Sequence, residues 1–538
     1  MAFEFTGFVS LYFAFFLVGS IFIYWVIPKK FRWYSLIVFS LVFYCLISWK
    51  SIFFLGYSVL LNYFVARFIS NNSARVDAYL NEHPDLDKEA KKAYKAKQKK
   101  IRKTILILGI VGNVAVLFVM KYLNFMIGNV NSLIALFNPE LSIPLNHWIL
   151  PLGISFFTFQ AISYIVDVYW NKYPAEKNFL KFATFMTYFP KIMQGPIIRY
   201  GEMSSELFGE KTFDYVTFTD GAKRMAYGYL KKMVVADTLA VFVTYAFSSG
   251  NIAGFENVSG LETFIAVIFY FIQDYCDFSG YMDIAIGVSG MLGIKLPENF
   301  ARPYFAVAID EYWRRWHITL GTWFKDYVYY PLSISKFSMK LGKRGKKIFG
   351  SWGMKIPAIT GLILVWFLTG LWHGASWNYV IWGLYYGAII IFSICMEPVF
   401  NAFYSKTGIN KYNKAIIVFR HIRTLFLLAV GRIIFLTSSM PDAWNVFIKM
   451  FRFDQYSLSN LNNQLGYISI IAAMVGFIPV LVIDIIQERN PSVPFLEKFN
   501  KMHIVLRWSL LILMVLFIVW FGYYGRGLPK YEFGYVQF

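Results

Sequence analysis

Long apolar runs alternate with short polar loops along the whole chain. Runs of roughly 17–25 residues have the length that crosses the hydrocarbon core of a bilayer as a helix. Such runs occupy 8–27, 33–49, 52–70, 104–120, 149–169, 178–198, 222–247, 261–290, 356–373, 377–399, 415–437, 466–486 and 504–523. Because some of them can re-enter the membrane or lie flat on it, we expect roughly 11 true spans. The pattern predicts an all-α, polytopic integral membrane protein that forms a single domain over 1–538.

Composition and charge agree with a membrane protein and exclude a nucleic-acid partner. Hydrophobic residues make up 57% of the chain and charged residues only 15%, whereas soluble proteins carry about 25% charged residues. The net charge is +21, but the excess lies in loops between apolar runs, as expected for cytoplasmic loops of membrane proteins. Nine of the sixteen residues 88–103 are Lys or Arg, and six more lie within 336–347. Membrane lipids are therefore the expected partners.

The basic insertion at 71–103 is the only long polar segment. Two interpretations stay open: a docking site for a partner, or a solvated cytoplasmic helix that lies against anionic lipid. The second explains the charge equally well and is favoured. Three apolar runs precede the insertion, so a cytoplasmic insertion places the N-terminus outside.

Polar side chains interrupt several apolar runs. Gln160 and Asp167 are seven residues apart, which is about two helical turns, so they share a helix face. Polar groups are costly in lipid, and we expect this face to look into protein or a cavity. Residues 188–200 contain two prolines and a glycine within seven positions, which excludes a regular helix. We expect this segment, with Gln194 and Arg199, to line a protein-enclosed surface.

The run 261–290 also carries polar residues, namely Gln273, Asp274, Asp277, Ser279 and Asp283. A desolvated carboxylate must be paired or protonated, so each aspartate is expected to have a partner or to be neutral. Structural hydrogen bonding between helices and a functional site remain equally open interpretations.

Two of the six histidines lie between positions 310 and 383, and each follows a tryptophan. Histidine is suited to proton transfer near neutral pH, and inside a membrane it is a functional candidate. The segment 310–327 has the spacing of one amphipathic interfacial helix. It carries His317 at the border of its apolar arc and has acid-before-base pairs at i,i+4: Asp310–Arg314 and Glu311–Arg315.

His373 ends an uncharged run, 357–372, and precedes the turn Gly374-Ala375-Ser376. The small side chains of this turn are expected to let a substrate approach the imidazole. A structural buried histidine is the alternative. The three widely spaced cysteines indicate neither a disulfide framework nor a metal site, and the chain has no Gly-x-Ser-x-Gly motif for covalent catalysis.

Several motifs resemble those of one family, the membrane-bound O-acyltransferases. They are Asp277-Phe-Ser-Gly-Tyr-Met-Asp283, Pro297-Glu-Asn-Phe300, Tyr312-Trp-Arg-Arg-Trp-His317, Trp323-Phe-Lys-Asp326 and Leu368-Thr-Gly-Leu-Trp-His373-Gly-Ala-Ser-Trp377, together with Phe156–Gln160, Tyr188–Tyr200 and Phe533–Phe538. The chain is most similar to the bacterial branch that supplies acetyl groups for alginate and related polysaccharides.

The resemblance implies an all-helical fold with a thinned centre that funnels enter from both faces. Residues 300–383 would form an interfacial and re-entrant catalytic region, in which His373 is the principal catalytic histidine and His317 the second. We expect the funnel to be lined by Gln160, Gln194, Arg199, Asp277, Ser279, Tyr281, Asp283, Arg314, Arg315, Trp316, Trp372, Ser376 and Asn378.

The activity implied is transfer of an acetyl group across the bacterial cytoplasmic membrane for O-acetylation of an extracytoplasmic polysaccharide. The resemblance further implies that the donor is acetyl-CoA or another acyl thioester, with no bound cofactor or metal. It also implies a secreted or membrane-anchored SGNH-like acetyltransferase as the partner that receives the acyl group.

Alternatives remain. The acyl group or polymer can differ, as in D-alanyl transfer to teichoic acid or acetylation of peptidoglycan. A flippase for a lipid-linked sugar would use Asp277, Asp283 and His373 as a polar pathway, and a scaffold for an export complex would need neither histidine.

Overall fold

A computed structural model describes residues 7–146, 148, 150–247, 258–452 and 457–524. Helices dominate these residues, and they contain no β-strand, only one isolated antiparallel bridge between Phe300 and Trp316. The predicted all-α class is confirmed. The motif at 533–538 lies outside the described residues.

The chain divides into two compact units. Unit 1 comprises Met1–Phe218 with Ser289–Leu296, and unit 2 comprises Thr219–Val288 with Pro297–Phe538. The helices up to the boundary are Leu11–Val26 (α1), Arg32–Ser48 (α2), Ile52–Glu82 (α3), Lys88–Leu117 (α4), Leu123–Ile134 (α5), Ile154–Tyr169 (α6), Phe179–Thr187 (α7), Phe189–Ile192 (α8) and Tyr200–Phe208 (α9).

The later helices begin with Tyr215–Tyr229 (α10), which starts just before the boundary. They continue with Asp237–Phe247 (α11), Gly260–Met291 (α12), Ile309–Arg315 (α13), Ile318–Phe324 (α14), Tyr330–Ser333 (α15), Lys336–Phe349 (α16), Ile356–His373 (α17), Trp377–Thr407 (α18), Lys414–Leu436 (α19), Met440–Lys449 (α20), Ser459–Leu465 (α21), Tyr467–Arg489 (α22), Phe495–Asn500 (α23) and Ile504–Phe521 (α24). Residues Phe118–Tyr122, Leu230–Ala236 and Lys325–Tyr329 form π-helical turns that continue α4, α10 and α14.

Six helical segments among the described residues are long and apolar enough to cross a membrane: Lys29–Glu82, Lys88–Ile134, Lys336–His373, Trp377–Thr407, Tyr467–Arg489 and Ile504–Phe521. Two shorter apolar helices, α1 and α6, accompany them. The protein is therefore a multi-pass membrane protein, and the figure of roughly 11 spans stays a prediction. The helix α24 has no buried residue, as expected for a helix whose apolar surface faces lipid.

In unit 1, the polar face of α6 is buried in protein as predicted. The Gln160 amide oxygen accepts a hydrogen bond from the Lys191 ammonium, and Asp167 pairs with Lys172 at 2.8 Å. The segment 188–198 is irregular apart from the short helix α8, and all of its residues are buried. Both predictions for this region are confirmed.

In unit 2, α17 and α18 form a helical hairpin whose closeness depends on glycine. A Cβ on Gly370 would lie 2.3 Å from the Tyr379 carbonyl oxygen, and one on Gly383 would lie 2.3 Å from the Trp366 carbonyl oxygen. A Cβ does not tolerate such distances, so both positions require glycine for this helix approach. The hairpin holds His373 at its turn.

Candidate active site

His373 lies at the end of α17 with 2% of its surface exposed. Its imidazole meets three aromatic rings edge-to-face, with centroid distances of 4.7 Å to Trp382, 4.8 Å to Trp372 and 5.3 Å to Phe435. Such contacts are directional and favourable, so the rings hold the imidazole in one orientation. His373 thus lies in a desolvated aromatic environment.

The turn after His373 is packed rather than open. A Cβ on Gly374 would lie 2.3 Å from the Tyr379 ring. Ser376 caps α18 by accepting a hydrogen bond from the Asn378 N–H, and the Asn378 side chain donates to the Thr437 carbonyl at 2.6 Å. The small residues of this turn therefore admit a neighbouring ring of the same chain, which differs from the expectation that they leave space for substrate.

We expect Gly374→Ala to destabilise the protein, because the added methyl group must displace the Tyr379 ring. Overpacking of this kind costs about 1–3 kcal/mol. Thermal unfolding of the purified protein measures the loss. Gly128→Ala is the matched control, since its Cβ meets no atom within 4 Å. An equal effect of both substitutions would contradict the packing assigned to the turn.

The sequence predicted one continuous helix over 310–327. This prediction was wrong, because the helix is interrupted at His317. Helix α13 ends at Arg315, and His317 adopts a left-handed backbone with φ 46° before α14 begins. Residues 299–301 pair with the backbone on both sides of the break. The Ala301 N–H donates to the Arg315 carbonyl at 2.9 Å, and the Ile318 N–H donates to the Asn299 carbonyl at 3.0 Å. Backbone groups that a continuous helix would pair internally are thus paired with 299–301.

Asn299 fixes the orientation of the His317 ring. The Asn299 Oδ1 atom accepts hydrogen bonds from the Thr319 N–H at 2.9 Å and from the Thr319 hydroxyl at 3.0 Å. The amide nitrogen lies 3.2 Å from His317 Nδ1, and Oδ1 lies 3.4 Å from the same ring nitrogen. Because Oδ1 already accepts two hydrogen bonds from Thr319 and the amide nitrogen only donates, this arrangement favours the tautomer in which Nδ1 accepts and Nε2 carries the proton.

Burial favours this neutral form. His317 is 3% exposed and lies outside the candidate membrane spans, and desolvation lowers its pKa to about 3. Imidazole is therefore uncharged near neutral pH, with Nε2–H as a hydrogen-bond donor.

We expect Asn299→Asp to raise the pKa of His317, because a carboxylate beside Nδ1 favours the imidazolium ion. The measurement is the pH titration of the His317 ring signals by NMR, compared between the purified variant and the wild-type protein. A His317 pKa that is equal in both proteins would contradict the contact assigned to Asn299.

Trp372 contacts both histidines. Its ring lies 5.7 Å from the His317 ring and 4.8 Å from the His373 ring, centroid to centroid. Phe278 contacts the other side of His317 at 4.8 Å. The two imidazoles, 56 positions apart in sequence, thus share one buried aromatic cluster.

Trp316 belongs to a second cluster beside His317. Its ring stacks on Tyr312 at 5.7 Å and lies under the Arg432 guanidinium at 4.7 Å. Arg432 also donates to the Tyr312 hydroxyl at 2.8 Å and pairs with Asp274. The sequence interpretation missed Arg432, and it included Asn299 only as part of the motif Pro297–Phe300, without its contact to His317. The signal for Arg432 was a single cation near the end of the apolar run 415–437.

The other two aspartates of α12 pair with two consecutive lysines. Lys231 binds Asp283 at 2.8 Å and donates to the Ser279 hydroxyl at 3.2 Å, while Lys232 binds Asp277 at 2.6 Å. Arg224 is a second ion-pair partner of Asp283, and Asp237 is a second ion-pair partner of Lys232. The prediction that Asp274 and Asp277 need partners is confirmed. Asp277, Ser279 and Asp283 therefore lie in an ion-pair cluster.

The two arginines before His317 have different surroundings. Arg314 pairs with Asp310, and its side chain is 68% exposed, so it is not among the groups around the histidines. Arg315 pairs with Glu311 at 2.7 Å and with Glu488 at 2.9 Å. Both predicted i,i+4 pairs are confirmed.

The remaining four residues that were expected to line the funnel do not all belong to the same unit. Tyr281 is fully buried on α12 in unit 2. Gln160, Gln194 and Arg199 belong to unit 1, whereas both histidines belong to unit 2. Gln194 is fully buried, and Arg199 is half-buried before α9.

Fold and site define a multi-pass helical membrane protein with two histidines in one buried aromatic cluster. Residues 173–438 match the membrane-bound O-acyltransferase family. The chain is 34% identical to a probable alginate O-acetylase AlgI of Azotobacter vinelandii, over 71% of this chain and 70% of that protein. It is 32% identical to a peptidoglycan O-acetyltransferase of Helicobacter pylori, over 65% of this chain and 62% of that protein. A teichoic acid D-alanyltransferase of Bacillus subtilis is 27% identical over 47% of this chain and 61% of its own length.

The chain belongs to the membrane-bound O-acyltransferase family and is an O-acyltransferase. The resemblance to its bacterial polysaccharide-acetylating branch is confirmed. Both histidines lie within the matched residues.

Proposed function

We propose that this chain moves an acetyl group from cytoplasmic acetyl-CoA across the bacterial cytoplasmic membrane for O-acetylation of an extracytoplasmic polysaccharide. The observation that carries the proposal is the contact of Trp372 with both buried imidazoles. Names of relatives support the acyl group and the polymer class, since they include alginate and peptidoglycan O-acetylating proteins.

In the proposed reaction, His373 acts as general base. It takes the proton from the acceptor hydroxyl while the hydroxyl oxygen attacks the thioester carbonyl carbon. The C–S bond then breaks, and the thiolate of coenzyme A leaves with the proton that the imidazolium returns. Proton transfer of this kind contributes about 10²–10⁴-fold to the rate.

His317 has a different proposed role. Its neutral ring carries Nε2–H because Asn299 donates to Nδ1. An N–H donor in a desolvated site stabilises negative charge on a carbonyl oxygen, so His317 is assigned to positioning the donor thioester. The aromatic rings around both histidines exclude water and favour transfer over hydrolysis.

The immediate acceptor is proposed to be a hydroxyl of a secreted or membrane-anchored SGNH-like partner, which passes the acetyl group to the polymer. The basic segment 336–347 attracts the phosphates of the donor on the cytoplasmic side. Six of its twelve residues are Lys or Arg.

The flippase alternative is disfavoured by the comparisons, because the named relatives are acyl-transferring proteins. D-alanyl transfer is also disfavoured, because the D-alanyltransferase relatives match less of the chain at lower identity.

Deletion of the gene followed by complementation tests the proposed function. We expect ester-linked acetate on extracytoplasmic polysaccharide to disappear in the deletion strain and to return with the wild-type gene. Mass analysis of the polymer fractions distinguishes acetyl from D-alanyl esters. Unchanged acetate in the deletion strain would overturn the proposal.

A further inference from the structure

A cavity of about 550 Å³ lies in unit 1 between α3 and α4. The end of α3 and the first half of α4 form the basic insertion, and the two helices belong to two candidate membrane spans, Lys29–Glu82 and Lys88–Ile134. The polar residues that line the cavity are Ser73, Asp77, Lys95, Lys99, Arg102 and Asn171. The cavity therefore combines three cations with one carboxylate near the polar ends of two membrane-length helices.

One cation of the cavity is held in a defined orientation. Arg102 Nη1 donates to the Ser73 hydroxyl at 2.7 Å, and that hydroxyl lies 3.4 Å from Asn171 Oδ1. Arg102 Nε is buried and makes no hydrogen bond within the part of the chain that the structure describes. A buried N–H without an acceptor is costly, so the Arg102 guanidinium retains capacity for a further acceptor.

The walls of the cavity are fixed by contacts on either side of it. Asn62 on α3 and Asn113 on α4 exchange two amide hydrogen bonds of 2.9 Å, and the Tyr79 and Tyr94 rings lie 4.4 Å apart. Asn171 adopts a left-handed backbone with φ 56°, a conformation that asparagine tolerates. These contacts hold together the two helices that carry the cationic side chains.

We propose that this cavity binds a phosphate group. Arginine and lysine together provide the directional and point-charge donors that phosphate oxygens accept. Two sources share this chemistry: the headgroup of an anionic phospholipid, which basic segments beside membrane spans attract, and a soluble phosphate. The proposal does not rest on the acyl-transfer activity, because it uses no residue of the histidine site.

Two double variants of the full-length protein test the site. Lys95→Gln/Lys99→Gln removes two charges that line the cavity, and Lys92→Gln/Lys100→Gln removes two exposed charges of the same helix that do not. The two variants have the same net charge. A difference between them therefore separates binding at the cavity from general electrostatic attraction to the basic helix. Thermal unfolding is titrated in two arms, with dioctanoyl phosphatidylglycerol and with inorganic phosphate, and the shift in Tm gives the apparent Kd.

We expect the cavity variant to bind about tenfold more weakly than wild type and the control variant to match wild type. A difference in the phosphatidylglycerol arm alone identifies a lipid headgroup, and a difference in both arms identifies the phosphate group itself. Equal weakening in the two variants, a cavity variant that matches wild type, or the absence of saturable binding to wild type in both arms would overturn the proposal.

Discussion

Replacing His373 with alanine is expected to lower acyl transfer by about 10²–10⁴-fold, because the acceptor hydroxyl loses its general base. The measurement is the amount of ester-linked acetate on extracytoplasmic polysaccharide in cells that carry the variant gene. Protein abundance in the membrane is measured in the same cells, since His373 packs against Trp372, Trp382 and Phe435.

His421→Ala is the matched control for this prediction. His421 is on α19, outside the aromatic cluster of the two histidines, and is expected to tolerate alanine. Full acetylation by His373→Ala at normal abundance would show that His373 is not the base. It would favour a structural role for this buried histidine.

Replacing Lys232 with methionine is expected to cause the largest loss of stability among the substitutions considered. Lys232 is 1% exposed and binds Asp237 at 2.8 Å and Asp277 at 2.6 Å. Removal of one partner of a buried ion pair costs about 3–5 kcal/mol, because the remaining charge is left uncompensated. Lower abundance and a lower unfolding temperature in detergent are the measured quantities.

Two further variants check the cause of this loss. Lys232→Met combined with Asp237→Asn and Asp277→Asn removes both uncompensated charges and is expected to recover most of the stability. Arg314→Ala breaks an exposed pair and is expected to cost less than about 1 kcal/mol. A stable Lys232→Met protein, or a triple variant no better than the single one, would refute the pairing energetics.

The sequence predicted the architecture well wherever one local rule decides the outcome. Runs of membrane length predicted an all-helical multi-pass protein, and two prolines with a glycine correctly predicted the break at 188–198. The rule that a desolvated carboxylate needs a partner also held for Asp274 and Asp277. Local spacing was sufficient in these cases because each depends on neighbours in sequence or on the cost of burial alone.

Predictions that depend on distant partners were less complete. The continuous helix over 310–327 fails at His317 because residues 299–301 pair with its backbone on both sides. The small turn at 374–376 accommodates the Tyr379 ring, which the turn sequence does not reveal. Asn299 lies in the motif Pro297–Phe300, and Arg432 is a cation near the end of an apolar run. Their roles were nevertheless not predicted, because each contacts residues that only the fold brings near.

The most direct test of the central claim uses purified protein in liposomes supplied with acetyl-CoA labelled in the acetyl group and a hydroxyl acceptor. A soluble domain of the SGNH class serves as the acceptor on the opposite side of the membrane. We predict label on the acceptor with wild-type protein and none above background with His373→Ala. Label that stays on coenzyme A with wild-type protein, or equal transfer by the variant, would contradict the account.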